Sequence, residues 1–421
     1  MRNMANKNWY WMQWVLAALV LVALPYMFSS GAALTMMCLM GFATIFALSY
    51  NMLLGQTGIL SFGHAVYYGM GGFVTAHALN LIGGGKLPIP LPVVPLVGGL
   101  AGLTCALIFG WVSTKRAGTA FSMISLGIGE LVAACSLILR SFFGGEGGVS
   151  TSRTSTLNLF GINFGPQIQV YYLIAAWCLV CIAAMYLFTR TPLGRMCNAV
   201  RDNPERTEFV GYNTQMVRFI AFCASGFFAG VAGGLSAIHY EIVTSSVIGA
   251  GPSGYVLLMT YIGGVGFFIG PIIGAVLMTF LQISLSDYTG AWMLYVGLMF
   301  VMVVMFAPGG FAGLLLMHKP MVAQGTLGKV LPAYGLALLP VLMVTVGGVL
   351  MVETCYHLLV KAAEGTAMSV LGLHYDAKSP QAWAGILGLL CFGALALRKV
   401  APRVGEAFNE ALQQALLKGS K

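Results

Sequence analysis

The sequence predicts an all-α, polytopic bundle of transmembrane helices, and three observations carry that prediction. Of 421 residues, only 21 Lys and Arg and 12 Asp and Glu bear a formal charge, which is 8%, against roughly 25% in a soluble domain. Hydrophobic residues make up 58% and the mean hydropathy is +0.87, so a soluble fold could not cover its surface with polar groups. Disorder and a disulfide-stapled secreted scaffold are excluded on the same grounds. Third, charge is missing in blocks: none occurs in the 78 residues from Asn8 to Gly85, nor in the 45 from Ile242 to Ser286. One spanning helix needs about 20 apolar residues, so each block holds more than one crossing. The alternating strands of an outer-membrane barrel are absent.

In chain order the apolar segments run over 12–28, 32–50, 63–82, 93–113, 117–140, 169–189, 218–238, 253–268, 270–285, 291–307, 331–352 and 382–398. That makes about 10–12 crossings, Gly-broken helices included. Arg2 and Lys7 precede the first segment, whose core continues past Leu24 with no small-residue cleavage site, so an uncleaved first helix is expected. Trp9, Tyr10, Trp11 and Trp14 read as an interfacial belt. The second and third segments are interrupted by Gly55-Gln56-Thr57-Gly58-Ile59-Leu60-Ser61-Phe62-Gly63-His64. A matching interruption follows later, at Gly263-Gly264-Val265-Gly266-Phe267-Phe268-Ile269-Gly270-Pro271. Broken helices at membrane depth survive where they are buried in protein or line a cavity, and a matched pair points to a translocation path. Close packing through small residues is the alternative.

Glu130 is the only carboxylate expected inside a continuous span, so it needs a partner or a function. It would contact a substrate ammonium or hold a neighbouring broken helix in place. His64 is expected to fix the first break, because no second His or Cys stands at metal spacing; no metal or cofactor is indicated. Gln56, Thr57 and Ser61 offer uncharged hydrogen-bonding groups beside it. Cys178 and Cys181 form a C-x-x-C in mid-helix and read as packing residues. His239 and Glu241 close the 218–238 span in a solvated loop or a docking surface.

The basic residues set the topology. With the N-terminus inside, 16 of the 21 Lys and Arg fall on inner loops and tails, and five (Lys86, Arg140, Arg153, Lys361, Lys378) fall outside. The positive-inside rule therefore predicts both termini in the cytoplasm. The net charge of +9 then serves the lipid bilayer and not nucleic acid.

The inner loop at about 190–214 is the most polar stretch between spans. Pro192 closes the preceding span, and residues 195–201 form a turn or two of helix. Asn203 is placed to cap a second short helix with Pro204 at its first position, and Gly211 to stop it. Here the sequence resembles the branched-chain amino acid ABC importer permeases of the LivM/LivH family, LivM more closely. Gly194, Arg195, Ala199, Arg201, Asp202, Asn203, Pro204 and Gly211 resemble that family's ATPase-coupling loop. Asn51, Leu53, Gly55, Gly58, Ser61, Gly63, His64 and Ala65 resemble a second signature. Gly263, Gly264, Gly266, Gly270, Pro271, Gly274 and Ala275 are similar to its late transmembrane motif. Glu130 falls where LivM-type permeases carry an acidic residue.

The resemblance implies an ABC importer permease of the bacterial inner membrane, over residues 1–315. It implies a second permease subunit, two ABC ATPase subunits, a periplasmic substrate-binding protein and a small-molecule substrate as partners. The path would pass Gln56, Ser61, Gly63, His64, Glu130, Gly263 and Gly264. No G-x-x-x-x-G-K-[ST] occurs, so ATP hydrolysis would belong to the partners and this chain would be non-catalytic. Two rivals stand: the same machine carrying urea or short amides, or a proton- or sodium-coupled transporter using Glu130. A membrane enzyme is disfavoured, since no nucleophile–base or paired-carboxylate set is present. Residues 316–421 go beyond the usual family length, with two apolar spans and a tail whose Phe408, Leu412 and Leu416 share one helical face. That tail is expected at an interface or subunit contact, or as an inert extension.

Overall fold

The computed structural model describes residues 2–155, 163–361, 365–370 and 372–419, with side chains from Met12 to Lys418. It consists of helices with two small two-stranded ladders, and the chain divides into two compact units. The first comprises residues 1–283 and 300–312; the second comprises 284–299 and 313–421. The second unit thus takes up residues 284–299 from upstream of the boundary expected after residue 315.

The first unit contains α1 (Arg2–Met27), α2 (Gly31–Thr57), α3 (Ala65–Gly83), α4 (Val94–Ser113), α5 (Thr119–Ile138), α6 (Arg140–Phe143) and α7 (Gln167–Arg190). The polar pair α8 (Pro192–Asp202) and α9 (Pro204–Phe209) follows, then α10 (Thr214–Tyr240) and α11 (Ala250–Gly263). Next come α12 (Gly270–Tyr288), α13 (Trp292–Phe306) and α14 (Gly310–Met317), the last three bridging the two units in sequence. The core forms around α10, where Gly226, Gly230, Gly233 and Gly234 lie against α3 and α4. A Cβ at Gly230 would run into the Gly98 carbonyl, and one at Gly102 into the Gly226 carbonyl. Small residues let these backbones meet, which is how helices associate where no hydrophobic drive exists between them. Val149 and Ser150 (β1) pair antiparallel with Ile242 and Val243 (β2) at one end of the core. In α1, Trp14 packs edge-on against Tyr186 of α7 (5.8 Å), while the side chains of Trp9, Tyr10 and Trp11 lie outside the described residues.

In the second unit, α15 (Lys319–Ala323) leads to α16 (Leu331–Val360), a hairpin of β3 (Ala367–Val370) and β4 (Leu373–Asp376), and α17 (Pro380–Gly419). α16 and α17 pack side by side, with Gly347 against Leu390 and Gly393 against Val344.

Among the described residues, eight helices are long and apolar enough to cross a membrane, and the broken α13/α14–α15 pair would make a ninth. They include each of the longest predicted spans. Several boundaries moved. The first interruption begins at Gly58 and not at Gly55, because α2 continues through Thr57. Segment 253–268 stops at Gly263, leaving a 14-residue helix too short to span. The 382–398 span and the tail form one 40-residue helix. In that tail the buried positions are Ala411 and Ala415, packed with Phe408 on Met321 and Val330. Leu416, expected on the packed face, is exposed. Glu130 is also not the only intrahelical carboxylate, since α16 continues seven residues past Glu353.

Candidate functional site

The polar loop folds as its residues dictate. Thr191 caps α8, its Oγ1 accepting from the Gly194 N–H (3.1 Å), and Pro192 opens the helix. Gly194 lies within the first turn, pressed against the end of α7, where a Cβ would meet the Phe188 carbonyl. It is therefore required for close approach and not for an unusual turn. Cys197 and Val200 bury the inner face against Val217 and Ala221 of α10. Burial pushes the Cys197 thiol up to about 12, so it stays neutral and serves as packing. Asn203 Oδ1 accepts from the Arg206 N–H (2.9 Å), with Pro204 first in α9, and Gly211 ends the unit at φ 94°, a conformation that suits glycine alone.

The two arginines divide their duties. Arg195 is exposed. Arg201 is paired through Nε with Asp202 Oδ1 (2.9 Å), and its Nη1 donates to the Gly55 carbonyl in the last turn of α2. Gly55 also faces the second interruption: a Cβ there would lie 2.7 Å from the Val265 carbonyl. One glycine thus joins the polar helix pair, the end of α2 and the later break.

The first break, residues 58–64, is held by side chains. Ser125 Oγ accepts from the Phe62 N–H (3.0 Å), Ser122 Oγ donates to the Leu60 carbonyl (2.8 Å), and Ser253 Oγ accepts from the Ala65 N–H (3.0 Å). Tyr50 donates to the Ser61 carbonyl (3.0 Å). His64 is fully buried, stacked on Phe46 (5.5 Å) with Nε2 3.0 Å from Ser49 Oγ. Unpaired backbone groups at membrane depth cost several kcal/mol each, and these hydroxyls supply the partners. Asn51 Oδ1, Gln56 Oε1, Ser61 Oγ and His64 Nδ1 are buried without a protein partner. Gly63 is packed against the Ser125 carbonyl.

Glycines close the second break, residues 264–269. A Cβ at Gly263 would meet the Gly270 carbonyl and one at Gly270 the Gly264 carbonyl, while Gly264 (φ 116°) abuts the Gly309 carbonyl and Gly310. Glu130 Oε1 accepts from the Ala250 N–H (3.3 Å) at the start of α11, so it caps the short helix leading into this break.

Near both breaks a cavity of about 360 Å³ opens among α2, α3, α11 and α12, lined by Phe42, Phe46, Tyr68, Tyr255, Met259 and Gln282 among others. None of Gln56, Ser61, Gly63, His64, Glu130, Gly263 or Gly264 lines it. Phe46 connects the layers, stacked on His64 and facing the cavity. The aromatic and thioether lining was illegible in sequence, because such residues are also ordinary core. Phe209 and Val210, at the end of α9, were also missed: they are 91% and 70% exposed. An apolar pair projecting from a polar loop was the available signal. His239 and Glu241 are built into the structure and do not form a free loop. The Arg153 backbone N–H donates to Glu241 Oε1 (2.8 Å), and its Nη1 donates to the His239 carbonyl (3.2 Å).

A family model described as "Branched-chain amino acid transport system / permease component" matches residues 32–308. The chain belongs to that family. It is 28% identical over 332 residues to the high-affinity branched-chain amino acid transport system permease protein LivM of Escherichia coli K12, covering 73% of this chain and 75% of LivM. LivM of Salmonella typhimurium is 28% identical over the same shares. The permease protein BraD of Pseudomonas aeruginosa is 22% identical over 283 residues, 64% of this chain and 91% of BraD. No solved structure matches. The matched segment contains the polar helix pair, both breaks and the cavity; α16 and α17 lie beyond it. This permease is a multi-pass membrane protein of an ABC importer.

Proposed function

We propose that this permease is the non-catalytic transmembrane subunit of an ATP-driven importer for branched-chain or related amino acids. Two ABC ATPase subunits engage α8 and α9, a second permease of the family completes the pathway, and a periplasmic binding protein delivers cargo. The inner-membrane orientation has both termini in the cytoplasm, on the side richer in basic residues. The observation that carries this reading is the bond from Arg201 to the Gly55 carbonyl, with Gly55 packed on Val265. Through it a push on α8 reaches the end of α2 and the second break as one connected movement. Phe209, exposed at the end of α9, suits an aromatic pocket-filling contact with the ATPase.

The cavity supports the cargo class. Phe42, Phe46 and Met259 fit an aliphatic side chain, while Tyr68, Tyr255 and Gln282 carry polar atoms for the charged end. Urea would leave the apolar walls unused. Of the path residues, Gly63, His64, Glu130, Gly263 and Gly264 hold the breaks beside this cavity, while Gln56 and Ser61 keep unpartnered polar atoms there. Glu130, occupied as a cap, gives no support to ion coupling.

The test uses the reconstituted importer with its ATPase subunits. Arg201→Glu and Gly211→Val leave insertion and binding-protein docking intact, while stimulated ATP hydrolysis and leucine uptake fall together by about tenfold or more, the effect of losing one charge-assisted bond. Unchanged stimulation and uptake in both variants would overturn the reading, as would uptake driven by a proton gradient at fixed ATP.

A further inference from the structure

The cavity among α2, α3, α11 and α12 has a definite electrostatic character. Its lining includes Tyr240 and Ser246, both exposed. α10 runs from Thr214, just past α9, to Tyr240, so this part of the cavity stands about 40 Å along the helix from the polar pair. Among the described residues that line the cavity, none is Asp, Glu, Lys, Arg or His. Whatever it holds meets aromatic, aliphatic and thioether walls and a few uncharged polar groups.

Those polar groups divide into engaged and open ones. The Tyr255 hydroxyl donates to the Met278 carbonyl (3.2 Å), Ser246 Oγ lies 2.7 Å from Thr244 Oγ1, and the Tyr68 hydroxyl meets the Ser236 side chain. Thr279 and Gln282 differ. They stand i, i+3 on α12 and so share one helical face, and both line the cavity. Among the described residues neither side chain has a hydrogen-bond partner, and neither is sealed in the core as an orphaned polar group. Their polar atoms are therefore presented to the open space. A carboxamide offers two N–H donors and an acceptor oxygen without net charge, and a hydroxyl both donates and accepts.

We infer that Gln282, seconded by Thr279, sets the charge selectivity of this permease for its cargo. The inference rests on the reading of this cavity as the cargo site. The Gln282 carbonyl oxygen accepts from an ammonium, while its N–H groups and the Thr279 hydroxyl donate to a carboxylate. Both charged groups of a zwitterion are then met, and an aliphatic side chain lies on Phe42, Phe46 and Met259. An additional charge on the cargo would find no counter-charge in the lining, and an unpaired charge against apolar walls is strongly disfavoured. Leucine-like cargo is therefore admitted, whereas lysine and glutamate are refused.

The test uses the purified importer in nanodiscs, with its ATPase subunits and without binding protein, so that the permease itself makes the choice. Ser246→Cys is treated with maleimide, and labelling at residue 246 is read from the mass of its peptide in L-leucine, L-lysine or L-glutamate. With Gln282 in place, leucine should slow labelling saturably and the other two should not. Gln282→Glu should weaken leucine protection about tenfold and bring in lysine, and Gln282→Lys should bring in glutamate, the change expected from one charge-assisted contact. Thr279→Val, which keeps the shape, should weaken leucine protection without admitting lysine. Leucine protection with Gln282 in place, combined with both charged variants still choosing leucine alone, would overturn the inference and leave the cargo reading standing. No protection by leucine with Gln282 in place would overturn the cargo reading and the inference with it. Thermal midpoints separate lost binding from lost folding. Should the charged variants not fold, the near-isosteric Gln282→Met must lose leucine protection, and protection retained there would equally overturn the inference.

Discussion

The two interrupted helices solve one problem by opposite means. At residues 58–64 the freed backbone groups are met by hydroxyls from α5 and α11. At residues 264–269 backbone closes on backbone, Gly264 against Gly309 and Gly270 against Gly263. The first break depends on what its neighbours' side chains carry; the second depends on no side chain being there at all. The first leaves Ser61 Oγ and His64 Nδ1 buried without a protein partner, whereas residues 264–269 carry no side-chain nitrogen or oxygen at all. A polar break can exchange partners as helices slide. A glycine break is rigid in composition, and Gly55 joins it to the polar loop.

The sharpest way to break the comparison is Gly264→Val. A β-branched residue at φ 116°, with its Cβ driven onto the Gly309 carbonyl, should cost about 2–6 kcal/mol from strain and overpacking. Little folded protein should survive size-exclusion chromatography; a normal yield would show that this break yields like the first. Ser125→Ala comes next, because the Phe62 N–H loses its acceptor. A stranded buried donor costs about 1–3 kcal/mol, so the protein should assemble with a lower thermal midpoint, and Ser125→Thr should restore it.

Glu130→Gln should have a smaller effect. An acceptor at the start of α11 is retained and only the charge facing the helix dipole is lost, about 0.3–1 kcal/mol. Uptake measured across a pH series should decline modestly without changing its pH dependence. Ser61→Ala should have the least effect. Its Oγ has no protein partner, so the thermal midpoint should stay within the scatter of neutral substitutions, about 0.5 kcal/mol. A loss as large as that of Ser125→Ala would mean that the unpartnered polar atoms also hold the break.

The contrast also explains what could be read from the residues alone. Helices were legible wherever apolar runs were long, as in α2, α7, α10 and α16. The α8–α9 pair was legible because Asn203, Pro204 and Gly211 each have a strong local preference, and Asn203 caps and Gly211 turns as expected. The breaks were legible as glycine clusters, but their boundaries were not: Gly55 and Gln56 remain helical because the αL cap waits until Gly58. The roles of Ser122, Ser125 and Ser253 were hidden, since a serine inside a helix reads the same whether it bonds its own helix or another's. The cavity was hidden for a related reason, because Phe46 and Met259 carry no mark distinguishing a lining residue from a packed one. Glu353 escaped notice because the apolar run was closed at residue 352, one residue short of it.

A single helix of 40 residues is about 60 Å long at 1.5 Å per residue, twice the hydrocarbon thickness of a bilayer. α17 therefore cannot be accommodated as a crossing alone. Arg398, Lys399 and Arg403 surround Pro402 near its middle, which is where basic residues would meet lipid headgroups. Everything beyond becomes a stalk in water, steadied where Ala411 and Ala415 rest on Met321 and Val330. A fluorophore on Gln413 would stand some 15 Å past the Arg403 level by the same rise, far enough to report depth against a quencher in the lipid.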